Sequence, residues 1–196
     1  MAFDAITDTS DDDLLAAYAG GDRLAARLLA DRLLPRTLGY ATRLLGGDRA
    51  EAEDVAQEAM LRLWRIAPDW RRGEARVTTW LYRVVTNLCT DRLRSGRRRA
   101  APMGDDLPDA PDDSPGAEAR MVQAARLAAL DAALAALPDR QREAVVLRHI
   151  EGLSNPEIAA VMGIGVEAVE SLTARGKRAL TVALQGRREG LGYEES

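Results

Sequence analysis

The sequence predicts an all-α protein of two small helical domains joined by a flexible acidic linker, and three observations carry that expectation. Apolar residues recur at helical spacing, and no segment of the 196 residues shows the β-branched alternation of a strand. Asp, Ser and Gly stand where helices would start and stop. Residues 100–116 combine Pro102, Pro108, Pro111 and Pro115 with Asp105, Asp106, Asp109, Asp112 and Asp113, a composition that buries too little apolar surface to offset the entropy of ordering. The expected boundaries are a domain over 1–99, a linker over 100–116, a domain over 117–187 and a tail over 188–196.

The elements follow from caps and period. Asp11-Asp12-Asp13 opens a helix through Leu14, Leu15 and Tyr18 that Gly20-Gly21 ends. Asp22 restarts one that runs to Leu45, with Pro35 expected to kink or split it, because proline removes a donor and crowds the preceding turn. Asp48 caps a third helix to about Ile66. Trp70 to Arg76, with Gly73, reads as a loop, and Thr78 or Thr79 opens a helix to about Arg97. Past the linker, helices are expected near 117–136, 139–151, 155–162 and 165–185, punctuated by Pro138, Gly152 and Gly163-Ile164-Gly165.

Composition excludes much. With 27 Lys and Arg against 31 Asp and Glu the net charge is −4, which taken whole argues against a nucleic-acid binder. One His (His149) and one Cys (Cys89) leave no disulfide framework, zinc cluster or Cys/His pair. No cofactor and no metal is expected. The acidic start, without a basic region or apolar core of a signal peptide, and the lack of long apolar runs point to a cytoplasmic protein with no membrane insertion.

Reading the charge by segment changes the picture. Arg62 to Arg99 holds eleven Arg against Asp69, Glu74 and Asp91, a local balance of +8. On a helical wheel Arg76, Trp80, Arg83, Asn87, Asp91, Arg94 and Arg98 share one side, and Leu81, Val84, Val85, Leu88, Cys89 and Leu93 the other. Arginines interleaved with an indole and an amide suit a melted strand: guanidinium groups take phosphates, the indole stacks on a base and the amide reads a base edge. Arg92 falls on the apolar arc, where snorkelling or a pair with a carboxylate would accommodate it.

Leu153-Ser154-Asn155-Pro156-Glu157 to Val169 has helix-turn-helix grammar: a cap, a short helix, a glycine-bearing turn and a second helix. Val169, Thr173, Gly176 and Leu180 form its packing side, while Ser171, Arg175 and Arg178 lie opposite, free to enter a major groove. In the preceding domain, Val55, Ala59, Leu63 and Ile66 form a buried stripe, and Asp54, Gln57, Glu58, Leu61, Arg62 and Arg65 an outward row. Spacing alone favours a solvated helix with supportive pairs such as Glu58 with Arg62.

Four ordered strings carry a family resemblance: Asp54-Val55-Ala56-Gln57-Glu58-Ala59-Met60-Leu61-Arg62-Leu63-Trp64-Arg65, Thr79-Trp80-Leu81-Tyr82-Arg83-Val84-Val85-Thr86-Asn87, Leu137-Pro138-Asp139-Arg140-Gln141-Arg142-Glu143, and Gly152-Leu153-Ser154 to Gly163. Together they resemble the motifs of extracytoplasmic-function (ECF) sigma factors of the sigma-70 family, over roughly 11–99 and 125–185. The resemblance implies that Asp54, Gln57, Glu58, Leu61 and Arg62 dock on the β′ clamp helices of core RNA polymerase, with the β flap as a second contact. It implies that Asn87 captures a flipped base of the −10 element, with Trp80, Arg83, Arg94 and Arg98 on the strand-opening surface. It further implies −35 reading by Ser171 and Arg175, with Lys177 and Arg178 on phosphates, and restraint by an anti-sigma partner. Glu170 and Leu172 depart from the basic residues common in the family, so the −35 sequence does not carry over from relatives.

Two other classes compete. A stand-alone dimeric helix-turn-helix regulator needs a dimer seam and an effector pocket, and neither is visible. A nucleic-acid enzyme would need Mg²⁺ at Asp105, Asp106 and Asp109, residues that a Pro-rich segment more often leaves solvated. The excess acid is also expected to suppress DNA binding by the isolated chain through self-repulsion.

Overall fold

The computed structural model describes residues 9–99 and 117–185, and within them the side chains of all but 96–99 and 117–120; every regular element described is helical. The N-terminal bundle comprises α1 (Asp11–Ala19), α2 (Arg23–Leu44), α3 (Arg49–Ile66), a 3₁₀ turn (Ala67–Asp69) and α4 (Val77–Arg99). The C-terminal unit comprises α5 (Ala117–Ala135), α6 (Asp139–His149), α7 (Asn155–Met162) and α8 (Val166–Gln185).

Asp22 and Asp48 cap their helices as predicted, whereas the first helix is capped by Ser10, with Asp11-Asp12-Asp13 forming its first turn. Ser10 Oγ accepts from Asp13 N, Asp22 from Leu24 N and Ala25 N, and Asp48 from Glu51 N. Two further expectations need correction. Pro35 does not split α2, which runs unbroken from Arg23 to Leu44. The proline is exposed, so the carbonyl that it frees one turn back meets water. And α4 begins at Val77, ahead of both threonines, with Trp80 N donating to Arg76 O.

Leu15, Leu29, Leu33, Tyr40, Val55, Leu63, Leu81 and Val85 close the core of the bundle. Tyr40 is the largest fully buried side chain among the described residues. Its hydroxyl shares a 2.8 Å hydrogen bond with Thr86 Oγ1, and its ring meets Tyr82 edge-on at 5.0 Å. Arg92, placed on the apolar arc by the wheel, binds the Glu51 carboxylate and lies 3.8 Å from Asp54, so it pairs with carboxylates of α3.

The C-terminal unit packs α6 and α8 tightly through Gly176, where an added Cβ would stand 2.5 Å from Val145 Cγ2. Gly163 ends α7 with φ 63°, the left-handed conformation that lets the chain turn sharply into α8. The two halves meet: α7 lies along α4, and α5 and α6 lean on α2. Arg142, buried, donates to Leu44 O at 2.9 Å and to Ala135 O at 3.2 Å. Tyr82 O–H donates to Glu151, whose carboxylate lies 3.8 Å from Arg36, and Arg76 pairs with Glu157 at 3.0 Å.

Candidate DNA and polymerase interfaces

Three helix faces carry the residues singled out by the sequence. On α3, Asp54, Gln57, Leu61 and Arg62 are exposed and Glu58 is half-buried, as an outward row requires. Glu58 Oε1 accepts from Arg62 Nε at 2.8 Å; that hydrogen bond holds the Glu58 carboxyl below the usual carboxylate range. An apolar groove of about 490 Å³ runs beside the row. Leu34 and Leu38 of α2 face Met60, Leu61 and Trp64 of α3 across it, and Leu34 and Leu61 are 42% and 44% exposed. Exposed leucines flanking a groove are what a partner helix covers. The α2 half of this groove escaped the sequence reading, although Leu34 and Leu38 stand one helical turn apart.

On α4, Arg83, Asn87 and Arg94 are exposed along one side. The side chain of Arg98 lies outside those described. Trp80 differs from expectation, because it is only half-exposed. Trp70 packs edge-on against it at 6.2 Å, and Trp70 Nε1 donates to Asp12 at 2.8 Å, which anchors the aromatic pair to α1. The indole thus stands as a braced edge of the α4 face. Thr86, Asn87, Thr90, Asp91 and Arg94 line one wall of a crevice of about 440 Å³, and Arg140, Val161 and Met162 of the C-terminal unit line the other.

On α8, Ser171, Arg175, Lys177 and Arg178 are exposed, while Val169 and Gly176 are buried. Arg175 Nη2 donates to Ser171 Oγ at 3.0 Å, which fixes the arginine along the face. Leu172 turns inward onto the core, and Glu170 accepts from Asn155 Nδ2 at 3.3 Å. The two departures from family chemistry are therefore one packing residue and one residue tied to the preceding helix. Ser154 N and Oγ both donate to Glu157, which seats α7, and these bonds with Arg76 hold that carboxyl below its ordinary value.

Neither Cys89 nor His149 is set up for chemistry. Burial pushes the Cys89 thiol up to about 12, so it stays protonated. Some loss of hydration at the otherwise exposed ring, together with the charges of Lys177 and Arg148, lowers the His149 value below the ordinary imidazole one. Among the described residues no group of three His, Cys, Asp or Glu side chains is placed to hold a metal, and no helix is long and apolar enough to cross a membrane. Asp105, Asp106 and Asp109 lie outside the described residues.

A helical bundle with an arginine and amide face, followed by a helix-turn-helix with a polar recognition face, defines a promoter-reading transcription factor of the sigma-70 kind. Residues 29–99 match the family model for Sigma-70 region 2, and residues 127–180 match that for Sigma-70 region 4. The chain is 35% identical over 181 residues to the ECF RNA polymerase sigma factor SigM of Mycobacterium tuberculosis, covering 92% of this chain and 87% of the relative. It is 32% identical to the RNA polymerase sigma-H factor of Pseudomonas aeruginosa, over 92% of this chain and 96% of that one. CnrH, solved in complex with the cytosolic domain of CnrY, shares the fold with a TM-score of 0.65 at 27% identity, over 91% of this chain and 99% of CnrH. The chain belongs to the extracytoplasmic-function sigma factors of the sigma-70 family. It is an alternative sigma factor and not an enzyme; the match to both regions, with a sigma-factor relative aligned over 92% of the chain, favours this over a stand-alone regulator.

Proposed function

We propose that this sigma factor docks core RNA polymerase through the α3 row and melts and reads its promoter through α4 and α8. The supporting observation is that three separate helix faces carry these residues, with Gln57 and Leu61 on α3, Arg83, Asn87 and Arg94 on α4, and Ser171 and Arg175 on α8 all exposed. Asp54, Gln57, Glu58, Leu61 and Arg62 border the apolar groove, which suits a coiled pair of clamp helices on the β′ subunit, with the β flap holding the C-terminal unit. Arg83 and Arg94 take backbone phosphates, Asn87 captures a flipped −10 base, and Trp80 stands beside the opened pair. Arg98, four residues after Arg94 in the sequence, is assigned to the same task. Unstacking a base costs a few kcal/mol, which these contacts offset. Ser171 and Arg175 reach −35 base edges, with Lys177 and Arg178 on phosphates.

We also infer a cytoplasmic location, where polymerase and promoter are. An anti-sigma factor that covers the same groove would silence the protein; CnrH, a relative of the same fold, was solved with the cytosolic domain of CnrY bound.

In vitro transcription with core RNA polymerase on a promoter library tests the assignment. Asn87→Ala is expected to impair strand opening at −10 while leaving polymerase binding intact. Gln57→Ala with Glu58→Ala is expected to weaken polymerase binding and leave the α4 face untouched. Unchanged transcription in both variants would overturn the assignment of these faces.

A further inference from the structure

The acidic first turn of α1 reaches three different parts of the bundle. Asp11 pairs with Arg32 Nη1 at 2.8 Å, and the same nitrogen donates to Thr9 O at 2.8 Å, which ties the start of α1 to α2. Asp12 accepts from Trp70 Nε1 at 2.8 Å, and Asp13 pairs with Arg72 at 2.8 Å in the loop ahead of α4. Both side chains of the Asp13 pair are about half exposed or more, at 49% and 57%, so solvent screening leaves the pair little to contribute. The bond to Trp70 is different, because it decides how a ring is turned.

An indole has one polar atom, the Nε1 donor, so a single acceptor fixes which way the ring faces. The backbone end of Trp70 is held as well: it closes the 3₁₀ turn, its N donating to Ala67 O at 3.3 Å. The support behind Asp12 is firm, since Leu14 and Leu15 of α1 are buried and Tyr18 meets Trp64 edge-on at 4.8 Å. Held this way, the Trp70 ring stands at 84° to the Trp80 ring, 6.2 Å away. A ring that stacks on a base contributes most when it is already oriented, because any freedom lost on stacking is subtracted from the gain. The contacts therefore run from α1, which precedes the residues 29–99 matched to region 2, to the indole at the edge of the strand-opening face.

We propose that Asp12 is a positioning residue for promoter melting: through Trp70 it holds Trp80 in the orientation that stacks at the edge of the opened strand. Helix α1 thereby sets the rate of opening without itself belonging to a DNA-reading face. This rests on the strand-opening role of α4 proposed above.

The test uses the full chain with core RNA polymerase and a promoter taken from the library, carrying the fluorescent base 2-aminopurine at the upstream edge of the −10 element. Asp12→Ala removes the acceptor, and Trp70→Phe keeps a ring but removes the donor. Each is expected to slow the rise in fluorescence about threefold to tenfold, as loss of a hydrogen bond to a charged group implies, with polymerase binding unchanged. Asp12→Asn, which keeps an acceptor oxygen, is expected to restore most of the rate. Because both substitutions break the same bond, the double variant is expected to open no more slowly than the slower single one. On a template whose −10 region is already unpaired, at saturating holoenzyme, every variant is expected to transcribe like the parent. Equal losses on the unpaired template would mean that Asp12 only supports the fold, and overturn the positioning role. Losses that add in the double variant overturn the route through Trp70. Trp80→Ala slow with Asp12→Ala at the parent rate overturns the role of Asp12 alone. Trp80→Ala at the parent rate contradicts the strand-opening role itself and takes the role of Asp12 with it.

Discussion

Tyr18, Tyr40, Trp64, Trp70, Trp80 and Tyr82 all lie in the N-terminal bundle, and residues 117–185 contain no Phe, Tyr or Trp. The bundle uses them in edge-on pairs, Tyr18 with Trp64 at 4.8 Å, Tyr40 with Tyr82 and Trp70 with Trp80, each joining two elements. The C-terminal unit instead packs Ala, Val, Leu and Ile, brings α6 and α8 together over a glycine, and buries Ile158, Val161 and Met162 in a helix that lies against α4. The two cores are nonetheless continuous, because α7 buries its apolar side against α4 while α5 and α6 lean on α2.

Matched truncations in the two cores put the largest strain on that contrast. Leu63 and Leu147 are both fully buried. Either leucine cut to alanine removes about 2–5 kcal/mol. In urea unfolding followed by helicity, Leu147→Ala is expected to split the transition, with the C-terminal unit melting first. Leu63→Ala is expected to lower the bundle's transition without a separate early phase. A single shared transition in both variants would show that the halves fold as one unit. A smaller effect is expected at Gly176. Alanine there gains about 1 kcal/mol in helix propensity, but overpacking against Val145 and Gln141 O costs about 1–3 kcal/mol. Gly176→Ala is therefore expected to lower the melting point of the C-terminal unit only, whereas a rise would mean that α6 and α8 separate freely.

How much of this was legible in the sequence follows the same division. Caps and period placed every described helix to within a few residues, because those signals are local. The α8 wheel was right on both sides, with Val169 and Gly176 inward and Ser171 and Arg175 outward. Helix α6 gave no such signal: Arg142 to Leu147 is buried without a break, so there was no stripe to read. The burial of Arg142 and Glu143 comes from contacts across about a hundred residues of chain, which periodicity does not register. Trp80 was read as exposed because the wheel shows its side of α4 but not Trp70 arriving from the loop.

The smallest predicted effect probes the seam between the halves. Glu157 serves both sides at once, seating α7 through Ser154 N and Oγ and pairing with Arg76 of the bundle. A carboxyl held below its ordinary value in the folded protein stabilises it in full above that ordinary value, about 4.3, and the contribution disappears as the pH falls through the lowered one. Glu157→Gln is expected to cost about 0.3–1 kcal/mol near neutrality, the usual worth of a carboxylate at a helix N-terminus, and its stability curve should converge on the parent's in acid. Arg76→Ala separates the two roles. If the pairing with the bundle contributes as well as the cap, the alanine reproduces part of the neutral-pH loss and its effect fades with salt. If Arg76→Ala costs nothing at low salt, the cap alone accounts for Glu157, and the seam is held by Glu151 and Arg142 without it.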